Sequence, residues 1–167
     1  MHDYKLTQAE IDSLKDQLQR DSAELDQIFD SDAAEKQMLA EAKAHVINSK
    51  SYASAKTLID IAASSGNDIG LHLRDWEGDR LIFAFNHAGV DYFPLYAFDP
   101  EHEFNPYTAM AEILVIFGKE KSGWECAFWF EGINGFLSGK APKDLIAVDP
   151  NLTIKAAVLE MQPVAHG

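Results

Sequence analysis

The sequence contains a single cysteine, Cys126, few basic residues and no long apolar run. One cysteine excludes a disulfide within the chain and is typical of a protein from a reducing cytoplasm. The longest apolar runs, of about five or six residues, are far shorter than the roughly 20 that span a bilayer. The first residues, Met1 to Lys5, are polar and do not resemble the apolar core of a secretory signal. We therefore expect a cytoplasmic protein that does not cross a membrane.

Positive charge is scarce. Lys and Arg number 14 against 27 Asp and Glu, which gives a formal net charge of −13. Residues 1–48 hold eleven acids against five bases, residues 49–100 seven against four, and residues 101–167 nine against five. Non-specific affinity for nucleic acids arises from Lys and Arg side chains that neutralise phosphates. Because no segment is basic, the composition disfavours nucleic acid as a partner.

Recognisable catalytic motifs are also missing. The sequence has no G-x-S-x-G, H-E-x-x-H, P-loop or G-x-G-x-x-G pattern, and its six histidines share no motif. His102 lies between two glutamates but has no second ligand at the spacing that zinc helices use. Cys126 lies among aromatic residues, where a buried and inert thiol is expected. We predict a protein that is not an enzyme and has no metal and no cofactor.

Residues 1–48 are predicted to form a helical arm. A heptad-like series of apolar residues favours an amphipathic helix over residues 6–29, with Thr7 and Glu10 as its capping box. A break is expected at Asp30-Ser31-Asp32, followed by a helix over 33–47. The arm can dimerise as a coiled coil or lie on the body of its own chain, and the pattern leaves both open. The apolar series is Ile11, Leu14, Leu18, Leu25 and Ile28.

Residues 49–100 follow the order of a winged helix-turn-helix. We predict helices over 51–63 and 67–76 and a hairpin of strands over 80–85 and 90–93. Asn67, His72 and Arg74 are the candidates for contacts with DNA. The same helix carries Asp68, Asp75 and Glu77, whose charges oppose phosphates. The segment is therefore interpreted as a degenerate winged helix-turn-helix with little affinity for DNA.

Residues 101–167 contain an aromatic helix from Trp124 to Phe130, with Glu125 and Glu131 expected on its solvent side. A second helix is predicted from Asn105 and Pro106 to Phe117, and a last one over 151–161. Gly132 is predicted to end the aromatic helix in the left-handed conformation, and Pro142 to open a short helix.

The aromatic helix also predicts a contact surface. Phe128, Trp129 and Phe130 span about 200° of the helix circumference, so one ring is expected to face another subunit, another subdomain or the solvent. Trp129, together with Phe136 and Leu137 of the following loop, is our candidate for a surface that contacts a partner.

One pattern in this region resembles a known family, the toxin-binding domain of Xre/MbcA/ParS-type antitoxins. The matching residues cover about the last third of the chain: Phe117-Gly118, Ala127-Phe128-Trp129-Phe130, Asn134, Leu137, Gly139-Lys140, Pro142 and Asp144-Leu145. Phe130 stands where the family often has leucine, and Ser138 where it often has glycine.

The resemblance implies a function. Such domains neutralise a toxin, often of the RES class that consumes NAD, and the proteins commonly form homodimers. It also implies that Asn134, Leu137, Gly139 and Pro142 shape the region that binds the partner.

The sequence as a whole predicts a mostly α fold: a helical N-terminal arm (1–48), a degenerate winged helix-turn-helix with one short β-hairpin (49–100) and a small C-terminal helical domain (101–167). The expected function is that of a non-enzymatic, antitoxin-like protein that binds a protein partner through its C-terminal domain. Two alternatives remain: an interaction or homodimer module without a toxin, and a DNA-binding transcriptional regulator.

Overall fold

A computed structural model describes residues 7–164, without the side chains of residues 28 and 29. The chain divides into two compact units, one ending at Ala42 and the other beginning at Lys43. Within the described residues there are seven α-helices and five short strands, so the predicted mostly α fold with a short antiparallel hairpin is confirmed. The predicted boundaries at residues 48 and 100 stay predictions.

The first helix, α1 (Gln8–Asn48), is continuous over 41 residues. It begins at the predicted capping box, where the Thr7 N–H donates to Glu10 at 2.7 Å and the Glu10 N–H donates to the Thr7 hydroxyl at 3.4 Å. The break predicted at Asp30-Ser31-Asp32 was wrong. Exposed Asp and Ser residues cost a helix only about half a kcal/mol each relative to alanine. No glycine or proline lies between Gln8 and Asn48 to end the helix.

The C-terminal unit combines the last turn of α1, which buries Val46, with short helices around two small sheets. Its further elements are β1 (Tyr52–Ser54), α2 (Ala55–Ser64), α3 (Leu73–Gly78), β2 (Phe85–His87), β3 (Val90–Pro94), β4 (Phe98–Asp99), β5 (Asn105–Pro106), α4 (Thr108–Phe117), α5 (Gly123–Glu131), α6 (Pro142–Leu145) and α7 (Pro150–Glu160).

The larger sheet has three antiparallel strands in the order β1-β3-β2. β2 and β3 form a tight hairpin, with Phe85 opposite Tyr92 and His87 opposite Val90. Its two turn residues, Ala88 and Gly89, both have positive φ, the conformation whose twist matches that of the flanking strands. β1 pairs with the other edge of β3. The sequence placed residues 52–54 in a helix, which was wrong because strand pairing outweighs the local helical pattern. The helix starts only at Ala55, where Ser54 accepts a hydrogen bond from the Thr57 N–H.

The region between α2 and the hairpin is less regular than predicted. Asp68 does not start a helix, because its carboxylate accepts the Gly70 N–H and closes a local turn. α3 therefore begins only at Leu73. Residues 80–84 are not a strand, since the Leu81 N–H donates back to the Trp76 carbonyl at the end of α3. Asn105 and Pro106 pair with β4 instead of opening α4.

The core lies between the larger sheet and helices α2, α4, α5 and α7. α4 contributes Met110, Ile113 and Phe117, which are fully buried, and α5 contributes Ala127 and Phe130. α4 and α7 pack directly against each other. Across residues 7–164, no helix combines the length and the apolar character that crossing a membrane requires.

Candidate functional site

Helix α5 is held in place at its first residue. Ser122 and Glu125 form a capping box, with the Ser122 N–H 2.6 Å from the Glu125 carboxylate and the Glu125 N–H 3.3 Å from the Ser122 hydroxyl. Gly123 lies against the backbone of residue 84: a Cβ at Gly123 would come within 1.9 Å of the Ala84 carbonyl oxygen. Only glycine allows this close approach of the helix to the chain that leads into β2.

The aromatic residues of α5 pack in several directions. Trp124 donates its indole N–H to the Asn86 carbonyl at 3.0 Å, and the Lys43 ammonium lies 5.0 Å from its ring centre. Trp129 is only 9% exposed and packs edge-on against Phe117. Phe130 is fully buried, and Phe128 is half-buried. The structure thus places Trp129, a predicted contact residue, in the core.

The loop after α5 is closed on itself. Asn134 and Lys140 form an antiparallel bridge, and the Asn134 side chain accepts the Phe136 N–H at 3.0 Å. Leu137 is 2% exposed and anchors the loop to the core. Gly139 has a φ of +79°, so glycine is needed for its left-handed conformation. Pro142 is buried at the first turn of α6, as predicted.

Gly132 does not have the predicted left-handed conformation, since its φ is −72°. A Cβ there would lie 3.1 Å from the Phe128 carbonyl oxygen, so glycine provides space at the end of the helix. The left-handed residue of the loop other than Gly139 is Ser138, with φ of 57°. Ser138 is the position at which the antitoxin family often has glycine.

Two apolar side chains of this loop face solvent. Ile133 is 83% exposed and Phe136 is 47% exposed. The Asn134 hydrogen bond and the buried Leu137 side chain fix the backbone around these two residues. The positions of Ile133 and Phe136 are therefore more restricted than they would be in a mobile loop. Phe136 is one of the predicted contact residues, whereas the sequence analysis did not single out Ile133. The sequence does hold a sign of this exposure: Ile133 is an apolar residue in a loop, and it does not continue the apolar face of the preceding helix.

A buried ion pair lies beside this loop. The Lys143 ammonium donates to the Glu131 carboxylate at 2.7 Å and to the Ser51 hydroxyl at 3.0 Å. The Glu131 side chain is only 4% exposed, so its predicted place on the solvent side of α5 was wrong. Among the described residues, its second oxygen has no hydrogen-bond partner. Glu131 is buried because α6 packs on the end of α5. The spacing of apolar and polar residues along α5 alone does not reveal this contact.

Two tyrosines lie close to this ion pair. The hydroxyls of Tyr52 and Tyr96 are 2.7 Å apart. Burial, with a smaller contribution from the Glu131 carboxylate, raises the pKa of both phenols well above the usual value. Both therefore remain protonated near neutral pH. A cavity of about 180 Å³ beside them is lined by Lys50, Ser51, Leu95, Tyr96, Lys143 and Asp144.

The contacts of this cluster join Lys143 of α6 to Glu131 at the end of α5 and to Ser51, the residue before β1. Burial raises the pKa of the Cys126 thiol to about 11, which leaves it protonated. Within residues 7–164, no group of three or more His, Cys, Asp or Glu side chains is arranged to hold a metal ion.

The residues predicted to contact DNA lie around α3. Asn67 is half-buried and donates to the Ser65 carbonyl, and His72 stacks on Trp76 with ring centres 5.5 Å apart. Arg74 is exposed on α3, which has only six residues. Asn67 and His72 line a polar cleft of about 280 Å³ that also contains Asp68 and Glu103. Two of the three residues predicted to contact DNA thus lie beside the carboxylates of Asp68 and Glu103, and no Lys or Arg lines the cleft.

The chain was compared with protein-family models, curated proteins and solved structures, and none of them matches.

Proposed function

We propose that this chain is a non-enzymatic protein of the cytoplasm that binds a protein partner through the surface formed by residues 132–141. Support comes from one observation above all: Ile133 and Phe136 are exposed on a loop whose backbone is fixed by Asn134 and Leu137. Apolar side chains held in a preset conformation bind at a lower entropic cost than those of a mobile loop.

The partner that we propose is a toxin of the RES class. This step depends on the resemblance of the last third of the chain to the toxin-binding domain of Xre/MbcA/ParS-type antitoxins. Asn134, Gly139 and Pro142 act in this proposal by shaping the loop, and Trp129 and Leu137 by anchoring it to the core. Phe136 and Ile133 make the contact.

The direct test expresses the chain together with a RES-class toxin from the same genome and follows the cellular content of NAD. The wild-type chain should preserve NAD, and the double variant Ile133→Asp/Phe136→Asp should lose this protection, because two carboxylates would enter an apolar contact. Leu71→Asp is the matched control, since Leu71 is 83% exposed and lies outside the loop. It should protect as the wild type does.

Two outcomes contradict the proposal at different levels. If the wild-type chain leaves NAD consumption unchanged, the toxin class is wrong. If a tagged chain then recovers no stoichiometric protein from its native host, or recovers one equally well with the double variant, the binding surface is wrong as well. Far-UV circular dichroism of each variant separates loss of binding from loss of the fold.

A further inference from the structure

The first helix of the chain, α1, exposes a seam in which leucines alternate with carboxylates. The four leucines along the seam are 46% to 69% exposed: Leu14, Leu18, Leu25 and Leu39. Three exposed acids occupy heptad positions of the same seam: Asp21, Asp32 and Glu35. The seam from its first to its last leucine is about 38 Å long at 1.5 Å per residue. Leucines at heptad spacing gain free energy only when a second helix covers them.

The charge of α1 decides which kind of partner can cover this seam. Residues 8–42 carry ten acids and three bases. A second copy of α1 would bring the same excess of acids, and residues 43–167 of the chain itself carry sixteen acids against ten bases. Nucleic acids and anionic lipid surfaces are negative as well. Each of these would place like charges beside the three carboxylates of the seam, which is unfavourable in an interface.

We propose that the seam of α1 binds a basic amphipathic helix of another protein. The leucines of α1 pack between apolar side chains of that helix, and its Lys or Arg side chains pair with Asp21, Asp32 and Glu35. The three carboxylates then give specificity, because a helix without cations at these points leaves them unpaired or repels them. The seam belongs to a different compact unit from the loop of residues 132–141, and the proposal does not depend on the proposed function.

A synthetic helix tests the chemistry of the partner. The probe is a peptide of about 28 residues, or four heptads, with a seam of leucine and lysine and further lysines beside it. The matched control peptide has glutamate in place of every lysine. In fluorescence anisotropy with the full chain, the basic peptide should bind at least about 100-fold more tightly than the acidic one. Its affinity should fall between about 0.1 and about 1 M NaCl, because salt screens the attraction. Equal binding of the two peptides, or an affinity that rises with salt, overturns the proposal.

Charge reversal tests whether the seam itself makes the contact. Asp21→Lys/Asp32→Lys places two cations in the seam and should weaken binding of the basic peptide by about 10-fold or more. Asp16→Lys/Asp30→Lys is the matched control: it changes the net charge equally, but both positions lie on the opposite side of α1 from the seam. Its effect should be much smaller. Equal weakening by the two variants would show that the peptide senses only overall charge, and would overturn the proposal. Far-UV circular dichroism confirms that each variant keeps its helices.

Two further measurements distinguish the natural partner. A tagged full chain should recover from its native host a basic protein that the seam variant loses and the control variant retains, and cross-links should join a basic segment of that protein to α1. Failure to recover such a protein contradicts the proposal. In sedimentation equilibrium, a dimer of the chain that strengthens with salt and is lost in Leu18→Asp would assign the seam to a second copy and overturn the proposal. Ile133→Asp/Phe136→Asp should bind the basic peptide as the wild type does, so failure of the toxin proposal remains separate.

Discussion

The Lys143 ammonium lies 2.7 Å from the carboxylate of Glu131, and this pair joins α6 to the end of α5 beneath the proposed contact loop. Glu131 is 4% exposed and Lys143 20% exposed. A buried pair of this kind adds little when it is complete, but removal of one partner leaves a charge without compensation. We expect the loop to depend on both residues.

Lys143→Met should lower the free energy of unfolding by about 1 to 3 kcal/mol, because it keeps the apolar stem of the side chain and removes the hydrogen-bonded cation of Glu131, which leaves only the exposed His45 ring nitrogen at 4.0 Å. The double variant Lys143→Met/Glu131→Leu should recover most of this loss. Lys56→Met is the control: its ion pair with Asp60 is exposed and should be worth less than about 1 kcal/mol. Urea denaturation measures all three. Equal effects of Lys143→Met and Lys56→Met would contradict the importance of the buried pair.

Ser138→Gly should stabilise the protein by about 0.5 to 1 kcal/mol. Ser138 has a φ of 57°, a left-handed conformation in which a residue with a Cβ is strained and glycine is not. Ser138→Ala is the matched control, because it removes the hydroxyl but keeps the Cβ, and should not stabilise. Thermal and urea unfolding detect the difference. An equal gain from both substitutions would show that the hydroxyl, and not the backbone conformation, is the source.

Gly123→Ala should destabilise the protein by about 3 kcal/mol, near the upper end of the cost of overpacking. The added Cβ would meet the Ala84 carbonyl oxygen at 1.9 Å, and backbone atoms cannot move aside as the end of a side chain can. Gly135→Ala is the control, since a Cβ at Gly135 meets nothing within 4 Å. It should change stability by less than about 0.5 kcal/mol. Similar costs at the two positions would mean that α5 does not need the close approach at Gly123.

Cys126 should resist thiol reagents in the folded protein. Its pKa is raised to about 11 by burial, so only about a thousandth of the thiol is ionised at about pH 8. Labelling with an aromatic disulfide reagent at that pH should be slow in buffer and rapid in concentrated denaturant. The denatured sample is the control for reagent and thiol content. Rapid stoichiometric labelling without denaturant would place Cys126 at the surface.

The features that the sequence predicted well are those determined by neighbouring residues. The capping box at Thr7 and Glu10 forms as expected, and so do the short helix that opens at Pro142 and the last helix, which Asp149 caps. Each of these depends on contacts within about four residues, which the sequence displays directly. The hairpin was predicted for the same reason, because Gly89 favours the positive φ of its turn, although its first strand covers 85–87 and not the predicted 80–85.

The features that the sequence did not predict depend on distant residues. Strand β1 exists because Ala53 pairs with Phe93, some forty positions away. Glu131 is buried because Lys143 reaches it from another helix, and its place in the helical period gave no sign of this. The Asp68 turn competes with a helix start by a single hydrogen bond. In each case a tertiary or side-chain contact outweighs a weak local preference.

The tryptophans of the C-terminal unit occupy different environments, and this gives the protein three optical reporters. Trp76 lies under His72, Trp124 lies under Lys43 at the hairpin, and Trp129 lies in the core. Emission from Trp129 should be the most blue-shifted of the three, because water is excluded from its ring. Single-tryptophan variants would therefore report separately whether a partner loosens the hairpin, the α3 region or the core when it binds.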